Sequence, residues 1–141
     1  MATEIFPGRL ESLEKIGEFV QQVARSACFN DRDVYAVELA VDEACTNIIE
    51  HAYHGEGVGD IVCECDVEQD GLKVVLLDQA PPFDPNSLSG LDASQPDISQ
   101  PIEKLKSRGL GLFLMRKMMD VVKFDKSPEG NNRLTMIKRR K

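Results

Sequence analysis

The sequence predicts an α+β fold: a two-layer sandwich in which helices cover one face of a mostly antiparallel, mixed β-sheet. Two segments in the first third of the chain have apolar residues at helical spacing, which indicates two amphipathic helices. Two later pairs of strand-like segments are each joined by a short turn, and strands joined in this way run antiparallel. The 141 residues are predicted to form one domain over 1–141.

The first part of the chain is predicted to run from a short strand into the two helices. Residues 2–6 form the strand, which ends at a Pro-Gly pair. Apolar residues then recur from Leu10 to Ala27 with helical periodicity. Asn30 is suited to capping the second helix. The apolar stripe of that helix consists of Val34, Val37, Val41, Cys45, Ile48 and Ala52.

A hairpin and a long loop are predicted to follow the helices. Residues 61–67 alternate between apolar and polar types, as a half-buried strand does. The pair Asp70-Gly71 favours a hairpin turn into a more apolar strand at 72–77. Residues 84–107 are rich in Ser, Pro, Asp and Gln. Loops of that length inside a domain are usually lids or disordered segments.

The last part of the chain is predicted to form a helix and a second hairpin. Residues 121–124 and 134–137 are the hairpin strands, joined by a turn rich in Pro, Gly and Asn. The basic residues 138–141 are interpreted as a solvated strand end. The helix is predicted from the apolar residues Leu110, Phe113, Leu114 and Met118.

Composition excludes several classes of function. The chain has 17 basic and 24 acidic residues and a net charge of −7, which argues against binding to nucleic acid or to an anionic membrane. No apolar run approaches membrane-spanning length, and the N-terminus lacks the features of a signal peptide, so a cytoplasmic location is expected. The four cysteines are predicted to be buried free thiols rather than metal ligands.

A pair of glycines at the start of the third helix is the first candidate for ligand binding. The segment Arg108-Gly109-Leu110-Gly111 follows the long loop and opens an apolar helix. Glycine permits a close backbone approach, and a helix N-terminus offers unpaired N–H groups, so the pattern suits a phosphate. The pattern alone also fits a tight turn packed on the sheet.

Polar residues on the second helix and after the apolar strand are further candidates. Glu43, Asn47, Glu50 and His54 follow one another at spacings of four, three and four, which places them on one helix face. A solvated face explains Glu50 and His54. An Asn oxygen suits Mg²⁺, and a carboxylate one turn away can accept a proton. Asp78, at the end of an apolar strand, needs a hydrogen-bond donor, either a nucleotide base or its own turn.

Taken in order, these motifs resemble those of a known family. The motifs are Glu43-Ala44-Cys45-Thr46-Asn47, Asp78 and Arg108-Gly109-Leu110-Gly111. Together they resemble the ATP-binding domain shared by gyrase, heat-shock chaperone, histidine kinase and MutL ATPases. Within that group the chain is similar to the bacterial anti-sigma factor serine kinases over nearly its whole length. The resemblance implies a Bergerat-type ATP-binding fold.

The resemblance also implies a role for each matching residue. Glu43 is expected to be the general base, and Asn47 the Mg²⁺ ligand. Asp78 is expected to accept a hydrogen bond from the adenine amino group, beside Ala80. The segment Arg108-Gly109-Leu110-Gly111 is expected to bind the ATP phosphates: Gly109 and Gly111 let backbone amides meet them, and Arg108 supplies positive charge. Residues 84–107 are expected to be the ATP lid.

The implied function is an ATP- and Mg²⁺-dependent serine/threonine protein kinase that doubles as an anti-sigma factor. Its expected partners are a sigma factor, a small antagonist protein that accepts the phosphate, and a second copy of the chain. Related families often have D-x-G-x-G after the strand, whereas Ala80 and Pro82 occupy the glycine positions here. A methyl group at Ala80 can crowd the base or forbid a positive φ. A binding module that sequesters a partner without catalysis is therefore the alternative.

Overall fold

The computed structural model describes residues 1–81 and 108–140 of the chain. These residues form five β-strands and three α-helices, one of which continues into a π-helical segment. In chain order the elements are β1 (Ala2–Pro7), α1 (Ser12–Ser26), α2 (Asp31–Asn47), the π-helical segment (Ile48–Ala52), β2 (Asp60–Glu68), β3 (Gly71–Asp78), α3 (Arg108–Met118), β4 (Val121–Lys126) and β5 (Asn132–Arg139). The predicted order of elements is therefore confirmed for the described residues.

The five strands form one sheet in the order β1-β2-β3-β5-β4. Each described pair of neighbouring strands is antiparallel, so the sheet is more uniform than the mixed sheet that the sequence predicted. The predicted turn at Asp70-Gly71 joins β2 to β3, and residues 127–131 join β4 to β5. Strand β3 lies at the centre, which agrees with its apolar sequence.

The helices form the second layer, and α2 packs between α1 and α3. Apolar residues at helical spacing on α1 and α2 face the sheet because that arrangement removes them from water. Fully buried examples are Ile16 and Val20 on α1 and Val37 and Val41 on α2. The α+β fold with helices on one face is thereby confirmed.

Three of the four cysteines are buried free thiols, as the sequence predicted. Cys45 on α2 and Cys63 and Cys65 on β2 belong to the core. The prediction was wrong for Cys28, which is exposed. Cys28 has a φ of 65° just beyond α1, so its side chain leaves the helical stripe that predicted its burial.

The apolar face of α3 also differs from the prediction. Leu112, Met115 and Met119 are buried, whereas Phe113, Leu114 and Met118 are only half-buried. Apolar residues occupy most positions of this helix, so periodicity alone did not identify the face that meets the sheet. None of the described helices is both long and apolar enough to cross a membrane.

The interpretation of the basic residues at the end of β5 as solvated was wrong for Lys138, which packs against the helices, whereas Arg139 and Arg140 are exposed. Lys141 lies outside the described residues. Lys138 is buried, and its Nζ donates a hydrogen bond of 2.9 Å to the carbonyl oxygen of Met118 at the end of α3. The guanidinium of Arg140 lies 5.1 Å from the ring centroid of Phe29. It also donates to the Ala27 carbonyl. These cations satisfy carbonyls at the C-terminal ends of helices, where the macrodipole favours positive charge.

Candidate functional site

Three strand ends meet at one edge of the sheet. In the register of the sheet, Asp78 at the end of β3 lies between Ile61 near the start of β2 and Asn132 at the start of β5. The antiparallel order brings these positions together although they are far apart in sequence. The C-terminal continuation of α2 reaches the same edge through Tyr53.

Asp78 is a buried carboxylate with one oxygen fixed by protein donors. Its Oδ1 accepts a hydrogen bond of 2.9 Å from Nδ2 of Asn132 and one of 3.0 Å from the backbone N–H of Ala80. Only 7% of the Asp78 surface is exposed. Among residues 1–81 and 108–140, no donor contacts Oδ2. Within that part of the chain, Oδ2 can accept a further hydrogen bond.

The environment of Asp78 opposes its ionisation. Burial raises the pKa of the Asp78 carboxyl, and the hydrogen bonds from Asn132 and Ala80 counteract part of that rise. A buried carboxylate with one oxygen that receives no hydrogen bond gains from binding a ligand that donates to that oxygen. The adenine 6-amino group is such a donor. The geometry at Asp78 is thus compatible with the adenine contact that the family resemblance implies.

Ala80 does not have the backbone strain that its methyl group suggested. The described residues with φ above zero are Cys28, His54, Gly55, Gly57 and Gly130, and Ala80 is not among them. Its N–H donates to the carboxylate two residues earlier, an arrangement typical of an Asx turn. Alanine is therefore compatible with this turn, and the backbone argument for a binding-only module loses its basis. Pro82 lies outside the described residues.

Two residues at this edge were not identified from the sequence. Asn132 donates through Nδ2 to Asp78 and also, at 3.2 Å each, to the carbonyl oxygens of Ala80 and Pro81. The hydroxyl of Tyr53 accepts a hydrogen bond of 2.9 Å from the backbone N–H of Gln79. Tyr53 ends the segment 47–53, whose sequence also resembles the anti-sigma factor kinases, but that resemblance implied no role for the tyrosine. Only the strand pairing of Asp78 with Asn132 could have indicated one of them.

Glu43 and Asn47 lie one turn apart on α2, as their spacing predicts, and both are half-buried. The predicted helix face of four polar residues is regular only as far as Asn47, because Glu50 and His54 lie beyond the end of α2. Asn47 is the last residue of α2, and a π-helical turn follows it. His54 lies beyond that turn with a φ of 58°, so α-helical spacing does not place it. π-Helical segments are rare and occur frequently at functional sites.

Negative charge is concentrated around Glu43. Burial raises the pKa of the Glu43 carboxyl, and the nearby carboxylates of Asp42 and Glu50 raise it further. Burial and the charge of Glu38 likewise raise the pKa of Asp42. A carboxyl with a raised pKa is a stronger base once ionised, and such shifts are typical of general bases.

The glycine-containing segment 108–111 forms the first turn of α3. The first N–H groups of an α-helix have no carbonyl partner within the helix, and the positive end of the dipole lies there. Because α3 packs against α2, this turn belongs to the same helical layer as Glu43 and Asn47. The predicted lid, residues 84–107, lies outside the described residues.

Comparisons with known proteins agree with this architecture. Residues 6–138 match the family model described as the histidine kinase-like ATPase domain. Over nearly its full length, the chain also matches the catalytic domain of the histidine kinase ThkA in a nucleotide-free form. That match has a TM-score of 0.54 and 14% identity, and it covers 99% of this chain and 97% of the ThkA domain. At that identity the likeness shows the fold.

Sequence relatives define the family more closely. The chain is 36% identical over 114 residues to a serine-protein kinase RsbW of Bacillus cereus, which is 81% of this chain and 70% of that protein. It is 36% identical to the RsbW of Bacillus thuringiensis and 35% identical to that of Bacillus anthracis over the same fractions. The chain therefore belongs to the histidine kinase-like ATPase family and, within it, to the family of the serine-protein kinase RsbW.

Proposed function

We propose that this protein is an ATP- and Mg²⁺-dependent serine/threonine protein kinase that also acts as an anti-sigma factor. The observation that supports ATP as the ligand is the buried carboxylate of Asp78, with one oxygen held by the protein and the other available. The kinase names of the RsbW relatives support the reaction class. The phosphate acceptor in this proposal is a serine or threonine of a small antagonist protein.

In the proposed complex, Asp78 selects adenine. Its Oδ2 accepts a hydrogen bond from the 6-amino group, while Asn132 and the Ala80 N–H hold Oδ1. A guanine or hypoxanthine base presents a carbonyl oxygen at that position and would repel the carboxylate. The site therefore favours ATP over GTP and ITP.

At the phosphate end, Asn47 is the proposed protein ligand of Mg²⁺, and the N–H groups of residues 108–111 are the proposed phosphate donors. Among the described residues, no three His, Cys, Asp or Glu side chains are grouped to hold a metal ion. Mg²⁺ binds proteins through few ligands and through the phosphates of its nucleotide, so a single amide ligand such as Asn47 is chemically sufficient. When bound, Mg²⁺ neutralises phosphate charge during transfer.

Glu43 is the proposed general base, which takes the proton from the attacking hydroxyl of the antagonist. Its half-buried position leaves the carboxyl accessible to a substrate, and its raised pKa strengthens it as a base. Phosphoryl transfer depends mainly on positioning and charge neutralisation, so this small set of residues is chemically sufficient.

The proposed partners follow from the family. The kinase binds a sigma factor and holds it inactive. The unphosphorylated antagonist competes with the sigma factor for binding to the kinase. A phosphate on the antagonist adds negative charge next to an already acidic protein, which weakens their association. We further propose a homodimer in the cytoplasm, a reducing compartment in which the buried thiols of Cys45, Cys63 and Cys65 remain free.

The test is transfer of the γ-phosphate of radiolabelled ATP to a purified antagonist protein. Glu43→Gln is expected to reduce the transfer rate by about 10²- to 10⁴-fold, the usual contribution of a general base. ATP binding by Glu43→Gln, measured by calorimetry with Mg²⁺, is expected to remain.

Glu50→Gln is the matched control, because it removes the same charge from an exposed carboxylate on the adjoining π-helical turn. This control is expected to retain transfer within a few-fold of the wild-type rate. Equal rates for wild type and Glu43→Gln would contradict the role of Glu43. Absence of ATP binding by the wild-type protein would contradict the kinase proposal as a whole.

A further inference from the structure

The hydroxyl group of Tyr53 connects two strands at the edge where Asp78 lies. It donates a hydrogen bond of 2.6 Å to the carbonyl oxygen of Asp60 and accepts one of 2.9 Å from the N–H of Gln79. Asp60 begins β2, and Gln79 directly follows Asp78. The residue that provides the adenine acceptor is therefore fixed at its C-terminal side by a side chain from another element.

The Tyr53 ring is held as closely as its hydroxyl. Only 7% of the residue is exposed. A Cβ atom at Gly59 would lie 2.7 Å from two ring carbons of Tyr53, so the absence of a side chain there makes room for the ring. A Cβ at Gly8 would lie 3.5 Å from the other side of the ring. The hydroxyl consequently has little freedom to follow a shift of its partners.

The π-helical turn determines where Tyr53 stands. The backbone N–H of Tyr53 donates to the carbonyl oxygen of Ile48, five residues earlier, at 2.8 Å. A further bond of 2.9 Å joins the N–H of Gly55 to the carbonyl of Ile49. The wider turn begins directly after Asn47, so a single backbone feature connects the proposed Mg²⁺ ligand to the tyrosine that contacts β3.

Asn132 supports Asp78 independently of Tyr53. Asn132, on β5, donates a hydrogen bond to the Asp78 carboxylate itself. Tyr53, beyond the C-terminal end of α2, instead accepts a hydrogen bond from the backbone N–H of Gln79, the residue after Asp78. Burial raises the pKa of Tyr53, the hydrogen bond from the Gln79 N–H counteracts part of that rise, and the nearby carboxylates of Asp78 and Asp60 add a smaller increase. The phenol therefore stays protonated at neutral pH and continues to donate to Asp60.

We propose that Tyr53 is a positioning residue for adenine recognition, which holds the backbone at Gln79 so that Oδ2 of Asp78 faces the nucleobase. The role rests on the proposed function, because it presupposes that Asp78 binds adenine. It goes beyond that function by connecting adenine selectivity to the π-helical end of α2. Tyr53 itself does not contact the nucleotide in this proposal.

The experiment compares two nucleotides that differ only in the group Asp78 recognises. They are ATP and the triphosphate of purine riboside, which is ATP without the 6-amino group. In Tyr53→Phe, the Kd of ATP is expected to rise about two- to tenfold, a range that corresponds to one hydrogen bond. The Kd of purine riboside triphosphate is expected to stay nearly constant, so the preference for ATP over this nucleotide falls. The kcat at saturating ATP is expected to change little.

Three further variants separate positioning from general stability. Gly59→Ala displaces the Tyr53 ring without removing its hydroxyl and is expected to reduce the preference for ATP over purine riboside triphosphate. Asn30→Ala removes the N-cap of α2 and destabilises the fold at a distance from the site, and it should leave the preference unchanged. Tyr35→Phe removes an exposed hydroxyl from the same helix and should also leave it unchanged.

The outcomes distinguish failure of this inference from failure of the proposed function. If Tyr53→Phe weakens both nucleotides equally, or if Asn30→Ala lowers the preference as much, the positioning role is wrong while ATP binding stands. If the wild-type protein binds both nucleotides equally well, the adenine contact of Asp78 is wrong, and the role of Tyr53 is overturned with it.

Discussion

The two ends of the candidate site are built in different ways. At the adenine end, Asp78 is buried and receives hydrogen bonds from a neighbouring strand and from its own turn. At the phosphate end, Glu43 and Asn47 are half-buried on one helix, and neither side chain makes a hydrogen bond within the described residues. One end is fixed by tertiary contacts, and the other depends on helical spacing.

The difference indicates a division of labour between selectivity and chemistry. A preformed acceptor at the adenine end avoids the entropic cost of ordering a side chain when the nucleotide binds. The phosphate end instead concentrates negative charge, because Asp42 and Glu50 both oppose ionisation of Glu43. A cation that arrives with the nucleotide would relieve that repulsion. Selectivity is therefore expected to survive changes at the phosphate end.

The largest effect that sharpens this comparison is expected from Asp78→Asn. The new side chain keeps an oxygen for Asn132 and Ala80 but presents an NH₂ group to the adenine amino group. ATP affinity, measured by calorimetry, is expected to fall about 10- to 100-fold, the loss of a hydrogen bond to a charged group. Affinity for ITP, which has a carbonyl at that position, is expected to rise relative to ATP.

The same substitution is expected not to destabilise the fold. Because burial raises the pKa of Asp78, the folded state binds the proton more tightly than the unfolded state does. The ionised carboxylate therefore costs stability above its folded-state pKa, and this cost disappears below the unfolded-state pKa. Asp78→Asn removes the charge, so its Tm at pH 7 should equal or exceed that of the wild type. A large loss of Tm would mean that Asp78 has a structural role.

A smaller effect is expected from Asn30→Ala at the opposite end of α2. Asn30 caps the helix by accepting a hydrogen bond of 2.8 Å from the N–H of Asp33. Its loss should lower the free energy of unfolding, measured with urea, by about 1 kcal/mol. ATP affinity should remain that of the wild type. A parallel loss of ATP affinity would show that the two ends of α2 are coupled. The expectation that fold stability can fall without a change at the ATP site would then be wrong.

The sequence predicted the parts of the site that depend on local spacing. Glu43 and Asn47 became candidates because helical geometry places residues four apart on one face, and Asp78 because a carboxylate after an apolar strand needs a donor. The predicted strands and helices also agree with the described fold. Each of these predictions uses only residues near each other in the chain.

The features that the sequence did not predict depend on contacts between distant segments. Asn132 meets Asp78 only through the register of β3 and β5, and Tyr53 reaches Gln79 only because a π-helical turn extends α2. Lys138 was taken as solvated because its burial depends on the end of α3. Propensity and periodicity contain no information on such pairings, so these residues became visible only in the folded chain.

The smallest expected effect concerns the pH dependence of phosphate transfer. Glu43 must be ionised to act as a base, so kcat/KM should rise with pH through its raised pKa. Asp42→Asn removes a neighbouring negative charge, which lowers the pKa of Glu43 and moves the acidic limb of the profile to lower pH. The shift should be small and should shrink at high salt, because both groups are half-exposed and screened. A profile that does not move at low salt would mean that another group limits the acidic side, and the electrostatic account of the phosphate end would then be wrong.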